Sequence, residues 1–177
     1  MTRAQRWGWV LIALAVALGL LFAARPAAGE DNAFMPKGGR SILGGLLASP
    51  TEGAALRDAL KSRRSAPEWR AFLEGRKSLS ERDAATLAAY LEVNAPLKPE
   101  DPPADGRALA ENECQSCHSL FASYLTQSRD VQGWRNIFLS PFHRQMKLTP
   151  QEREEFARYS ALNMPMKIDD IPADLRF

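Results

Sequence analysis

Cys114-Gln115-Ser116-Cys117-His118 sets two thiols one helical turn apart and puts an imidazole directly after the second. The pattern C-x-x-C-H is the attachment run of c-type haem. Two thiols at that spacing reach the two vinyl groups of one porphyrin, while the adjacent imidazole turns beneath the ring to ligate iron. Two other chemistries use the same residue types. A structural zinc needs four tetrahedral ligands, and the whole chain has two Cys and two His, with His118 immediately beside Cys117. A thioredoxin-like dithiol follows a strand in a βαβ unit, and nothing around Cys114 alternates as a strand does. The run therefore predicts a single covalently attached haem c.

The elements that must position it read as helices. Thr149-Pro150-Gln151-Glu152 is a capping box with proline at the first helical position. It predicts a helix from Pro150 to about Leu162 that buries Phe156, Tyr159 and Leu162 and ends at Asn163 and Pro165. Ser80 is a cap with Asp83 at the return position, ahead of a stripe of Leu87, Tyr90 and Leu91. Asp105 caps a helix running into the haem run with Leu109 inward, and Asp130 caps one holding Val131, Trp134 and Phe138 that stops at Pro141. No stretch alternates with period two. The expected class is all-α.

Polar, proline-rich residues Lys98 to Asp105 read as a linker, and the chain repeats itself on either side of them. Leu79 to Lys98 aligned without a gap on Leu148 to Lys167 gives six identities in twenty: Leu79/Leu148, Ala88/Ala157, Tyr90/Tyr159, Asn94/Asn163, Pro96/Pro165 and Lys98/Lys167. About one is expected by chance at ordinary composition. Trp69-Arg70 answers Trp134-Arg135, and Gly39-Arg40 answers Gly106-Arg107. A tandem duplication follows, with residues 30–98 and 106–177 as the two copies and 99–105 between them. In the first copy Leu47 to Thr51 stand opposite the haem run, so that copy has neither thiols nor imidazole. Ile42, Leu43, Leu46 and Leu47 are expected to fill the space of the missing porphyrin.

The order of parts in residues 104–165 resembles the class I c-type cytochromes: Gly106-Arg107-Ala108-Leu109 entering Cys114 to His118, a tryptophan helix, then Leu148-Thr149-Pro150-Gln151-Glu152 opening a final helix with Tyr159. The resemblance implies a cytochrome c-like fold, thioethers at Cys114 and Cys117, His118 as the proximal ligand and electron transfer in the periplasm. The pair of copies is similar to a dihaem cytochrome whose first haem site is lost. The family places a methionine before its final helix, whereas Met164-Pro165 here comes after it. The sixth ligand is therefore open among His143, Met146, Met164 and Met166, or the position is vacant. Position favours His143, in the loop beyond Pro141. Met146 stands almost at the helix start, and the first copy keeps Asn94-Ala95-Pro96 where the second has Asn163-Met164-Pro165. A second imidazole leaves the potential lower than methionine does.

Arg3 and Arg6 precede an apolar run from Trp7 to Ala24, followed by Ala27-Ala28-Gly29. This is a signal-peptide pattern over residues 1–29, nearly long enough for an uncleaved membrane anchor. Either form puts the remainder in the periplasm, soluble or tethered to the inner membrane. Without residues 1–29 the chain carries 20 basic and 21 acidic residues, which leaves no nucleic-acid footprint. Lys61, Arg63 and Arg64 form a basic run read as a solvated face, with a docking surface for an acidic redox partner as the alternative, and Lys167 to Phe177 is expected as an extended arm, free or laid over a partner subunit. No nucleophile with a free histidine, phosphate loop or second metal cluster supplies a substrate site. The chain is expected to be a one-electron carrier or an electron-transfer subunit with a redox partner protein or membrane-bound oxidoreductase. The alternatives are a haem enzyme or ligand sensor with a displaceable sixth site, Arg135 or Arg144 stabilising an anionic oxygen, and a largely structural subunit.

Overall fold

The computed structural model describes residues 32–115 and 117–176. The expected export segment lies outside them. The described residues form helices and turns with no strand, an all-α architecture. In the first half α1 (Gly39–Ala48), α2 (Gly53–Ala59), α3 (Ala66–Leu73) and α4 (Glu81–Asn94) surround one core. In the second, α5 (Gly106–Leu109) runs into a π-helical turn (Ala110–Cys114), and a second π-turn (Phe121–Leu125) lies beyond the C-x-x-C-H run. There follow α6 (Val131–Ile137), a 3-10 turn (His143–Gln145) and α7 (Pro150–Asn163) around a second core.

Local chemistry sets these boundaries. The hydroxyl of Thr149 accepts from the Glu152 amide at 3.2 Å while the Glu152 carboxylate accepts from the Thr149 amide at 2.7 Å, closing the box that starts α7. Ser80, Asp105 and Asp130 cap α4, α5 and α6 in the same manner, accepting from Asp83, Ala108 and Gly133. Each cap is worth about 1 kcal/mol. Leu87, Tyr90 and Leu91 are buried on α4, as are Phe156 and Tyr159 on α7. Leu162, expected on the same stripe, is exposed instead: α7 is covered on the side facing α4 and α6, and Leu162 lies off that face.

The two halves meet through matched surfaces. Glycine at 39 and at 106 lets each first helix press on the last helix of its own half, because a Cβ there would overlap the Cβ of Tyr90 or of Tyr159. Asn94 and Asn163 each donate to the carbonyl four residues back, Tyr90 and Tyr159, at 2.9 Å. Each also reaches across to the other half, Asn94 to Glu155 at 3.3 Å and Asn163 to Thr86 at 3.1 Å. Tyr90 donates to the Pro103 carbonyl at 2.9 Å, and Tyr159 donates to the Pro36 carbonyl at 2.6 Å. The phenol of each half thus holds the segment that leads into the other half's first helix. Such reciprocity, with equivalent residues contacting each other's counterparts, is the signature of two-fold contact. The Ala95–Pro96 and Met164–Pro165 bonds are both cis.

This corrects three expectations. The stretch from Lys98 to Asp105 is not a free linker: Asp105 is buried, and its carboxylate accepts from Ala108 in its own helix and from Arg40 in α1, both at 2.9 Å. Met35 belongs to the second core although it lies in residues 30–98. The tail is no extended arm, since it folds into two 3-10 turns, Ile168–Asp170 and Ala173–Leu175, and Ile171 is buried in the second core. Phe34 to Phe177 form one compact unit with two cores.

Candidate haem site

The second half holds a partly open cavity of about 110 Å³. Its wall brings together Cys114, His118, Trp134, His143 and Met146 over an apolar floor that includes Leu109 and Phe156. Two residues 25 apart in sequence, His118 and His143, thereby share one site. Cys117 stands outside this wall and is exposed, and Met164 is buried in the core away from it. Met166 likewise packs against the core without lining the cavity. Of the four residues weighed for the sixth position, His143 and Met146 reach the cavity.

The imidazole rings of His118 and His143 have centroids 6.1 Å apart and planes at 80°. One metal atom bound by both at about 2.0–2.1 Å would hold the ring centres roughly 6.3 Å apart. An edge-to-face aromatic pair spans the same range, so the hydrogen bonds must discriminate. Nδ1 of His118 lies 2.6 Å from the Ser123 hydroxyl, and Nδ1 of His143 lies 2.9 Å from the Ser140 hydroxyl. Each ring thus uses one nitrogen on a serine, the arrangement that orients metal-binding imidazoles. Among the described residues no three His, Cys, Asp or Glu side chains gather as metal ligands. The donor set is a pair of imidazoles in edge-to-face contact, each held at Nδ1, which matches in number the two axial positions of a porphyrin and falls short of the four ligands of a structural zinc.

Two further groups in the cavity wall are shaped by burial. Trp134 lines the cavity and is buried, and its indole N–H has no hydrogen-bond partner, a cost of about 1–3 kcal/mol unless an acceptor enters. Trp69 has the same unpaired N–H in the first half, so this donor is a property of the repeated tryptophan and not of the cavity alone. The Cys114 thiol is pushed up to about 11, chiefly by burial and then by Glu113 and Cys117. It is therefore held as a thiol against the apolar wall, not as a free thiolate nucleophile. Burial likewise raises the Tyr124 phenol, which stays neutral beside the Ser160 hydroxyl at 3.0 Å.

Of the cations, neither Arg135 nor Arg144 lines the cavity. Arg135 is committed to Glu154 through two bonds of 2.7 Å, while Arg129 is in the cavity wall with its guanidinium 5.7 Å from the centre of Trp134. Sequence reasoning passed over Arg129, although a signal existed. Arg64 precedes Trp69 by the same five residues and sits 5.0 Å over its ring, which also shows that Arg64 is not simply solvated. Ser140 was legible as a turn residue three before His143, and its hydroxyl accepts from the His143 amide at 3.3 Å. The serine at 123 had no such local signal. Comparison with family models, with curated proteins and with solved structures gave no match to this chain.

Proposed function

We propose that this chain is a c-type cytochrome that carries one covalent haem and passes single electrons, with Cys114 and Cys117 as thioether residues and His118 and His143 as axial ligands. The observation that supports the reading is the pair of imidazoles with ring centres 6.1 Å apart in the wall of one cavity that Cys114 also lines, each with Nδ1 on a serine. A haem held there supplies one-electron redox chemistry whose potential follows from its axial ligands. The residues' part is to orient and to exclude. The helix α5 and its π-turn carry Cys114 to the wall, the turn after α6 brings the His143 ring to 6.1 Å from that of His118, and Phe138, Leu148 and Phe156 keep the space apolar.

In the same reading residues 30–98 are a haem-less copy of residues 106–177 in a cytochrome c-like fold. The support is the matched use of Gly39 and Gly106, Tyr90 and Tyr159, and Asn94 and Asn163. The first core is filled by Ile42, Leu43 and Leu46, with Leu47 packed against it. The protein works in the periplasm, delivered by residues 1–29, and exchanges electrons with a redox partner protein or membrane oxidoreductase. Intact mass and a pyridine haemochrome assay on protein exported from a host with haem-attachment machinery test the core of this. One haem per chain, lost when Cys114 and Cys117 are both replaced by Ala, is the expected result. Zero or two haems would refute it. Met146 is the rival for the sixth position, and loss of the low-spin spectrum in His143→Ala but not in Met146→Leu assigns the ligand to His143.

A further inference from the structure

We propose that Ser123 and Ser140 are positioning residues that fix the tautomer and aim of the two imidazoles, which rests on the haem reading above. The argument for Ser123 is a count of hydrogens. Its hydroxyl oxygen lies 2.6 Å from His118 Nδ1 and 2.6 Å from the Ser119 carbonyl. A carbonyl only accepts, so the one hydroxyl hydrogen goes to Ser119, and the oxygen must accept from Nδ1–H. His118 is thereby held with its proton on Nδ1 and its lone pair on Nε2, the form that ligates. The local backbone makes this reach available: Ser123 sits within the π-turn Phe121–Leu125, five residues beyond His118 and four beyond Ser119. Widened helical turns of this kind recur at functional sites.

Ser140 acts on the other ring by a different grip. Its hydroxyl accepts from the His143 amide at 3.3 Å and meets Nδ1 of the same residue at 2.9 Å. Backbone and ring are clasped by one oxygen, which fixes the rotation of a side chain on a short 3-10 turn. Hydrogen bonds from the outer nitrogen of a ligating imidazole raise its basicity and set its orientation. The two serines consequently have separable effects: Ser123 sets how strongly His118 donates, and Ser140 sets whether His143 stays in place.

The test uses the full haem-loaded protein. Ser123→Ala should raise the haem reduction potential, because a poorer donor favours the ferrous state, while the low-spin spectrum persists. Ser123→Thr, which keeps a hydroxyl, should restore the wild-type potential. Ser140→Ala should let carbon monoxide bind the reduced protein and add a high-spin fraction to the ferric spectrum, and Ser140→Thr should reverse both. Should Ser123→Ala fail to fold, the ¹⁵N shifts of His118 in the reduced wild-type protein still read the tautomer, and an unprotonated Nδ1 would overturn the assignment. An unchanged potential in a folded Ser123→Ala, or wild-type exclusion of carbon monoxide in a folded Ser140→Ala, overturns the proposal while leaving the haem reading intact. A wild-type chain without covalent haem, or with a sixth ligand other than His143, overturns both.

Discussion

Removing the ionisable group of Glu155 should abolish a loss of stability that the wild-type protein suffers between about pH 4.5 and pH 8. Glu155 is buried where the halves meet, and burial pushes its carboxyl from 4.5 up to about 8, opposed chiefly by the hydrogen bond from the Gly106 amide. A raised carboxyl is protonated in the folded chain over a range where the unfolded chain has released its proton. Stability therefore falls as pH rises through that range and levels off above about 8. At 1.36 kcal/mol per pH unit the rise corresponds to a ceiling of about 5 kcal/mol, and water reaching the carboxyl lowers it, so ~2–5 kcal/mol is expected. Urea unfolding followed by far-ultraviolet circular dichroism at intervals from pH 5 to pH 9, on wild type and Glu155→Gln, measures it. Other groups titrate in this window, but they are common to both proteins and cancel in the difference. Glu154, held at about 2 mainly by Arg135, titrates outside it. The variant should gain on wild type steadily with pH. Parallel curves would refute the argument.

Gly106→Ala places a Cβ against the Cβ of Tyr159 and 3.0 Å from the Glu155 carbonyl, and chemical denaturation should show a loss of about 1–3 kcal/mol as α5 is forced off α7. Trp69→Ala empties a fully buried site between Phe72 and Arg64; a cost of about 3–5 kcal/mol is expected, with the haem spectrum unchanged because Trp69 belongs to the other core. Met164→Leu should leave the ferric and ferrous spectra at wild-type positions, since that side chain is in the core and not in the cavity wall. A shifted spectrum in that variant would return Met164 to the list of ligands.

The parts of the site that sequence revealed are those governed by local rules. The C-x-x-C-H run, the caps at Ser80, Asp105, Asp130 and Thr149, and the Gly, Tyr and Asn of each half are all written over short spans. What stayed hidden depends on long-range packing. His143 was legible as a partner for His118 from its place in the loop beyond Pro141, but the two serines that hold the rings, Ser123 and Ser140, meet Nδ1 of each only through the folded turns. Glu155 sits in the run Gln151-Glu152-Arg153-Glu154-Glu155, which looks like a solvated face, yet it is four residues before Tyr159 and shares its buried stripe. Lys98 to Asp105 has the composition of a linker, and its composition is accurate for Glu100 and Asp101, which are exposed. The composition says nothing of Pro103 and Asp105, whose partners are 13 and 65 residues away.

The exchanged tyrosine contacts bear on what a fragment of this protein can be. Tyr159 closes on the carbonyl of Pro36, and Met35 fills the second core, so the helix bundle around the cavity is completed by a stretch of chain from far upstream. A fragment starting at residue 99 would leave the Tyr159 hydroxyl without its acceptor and open a hole where Met35 sat. The first half is indebted in return, because Tyr90 needs Pro103 and the start of α1 needs Asp105. Neither half is a self-sufficient module. Cleavage within Lys98 to Pro102 should leave two pieces that remain associated, as the subunits of a dimer do, and that come apart and unfold together.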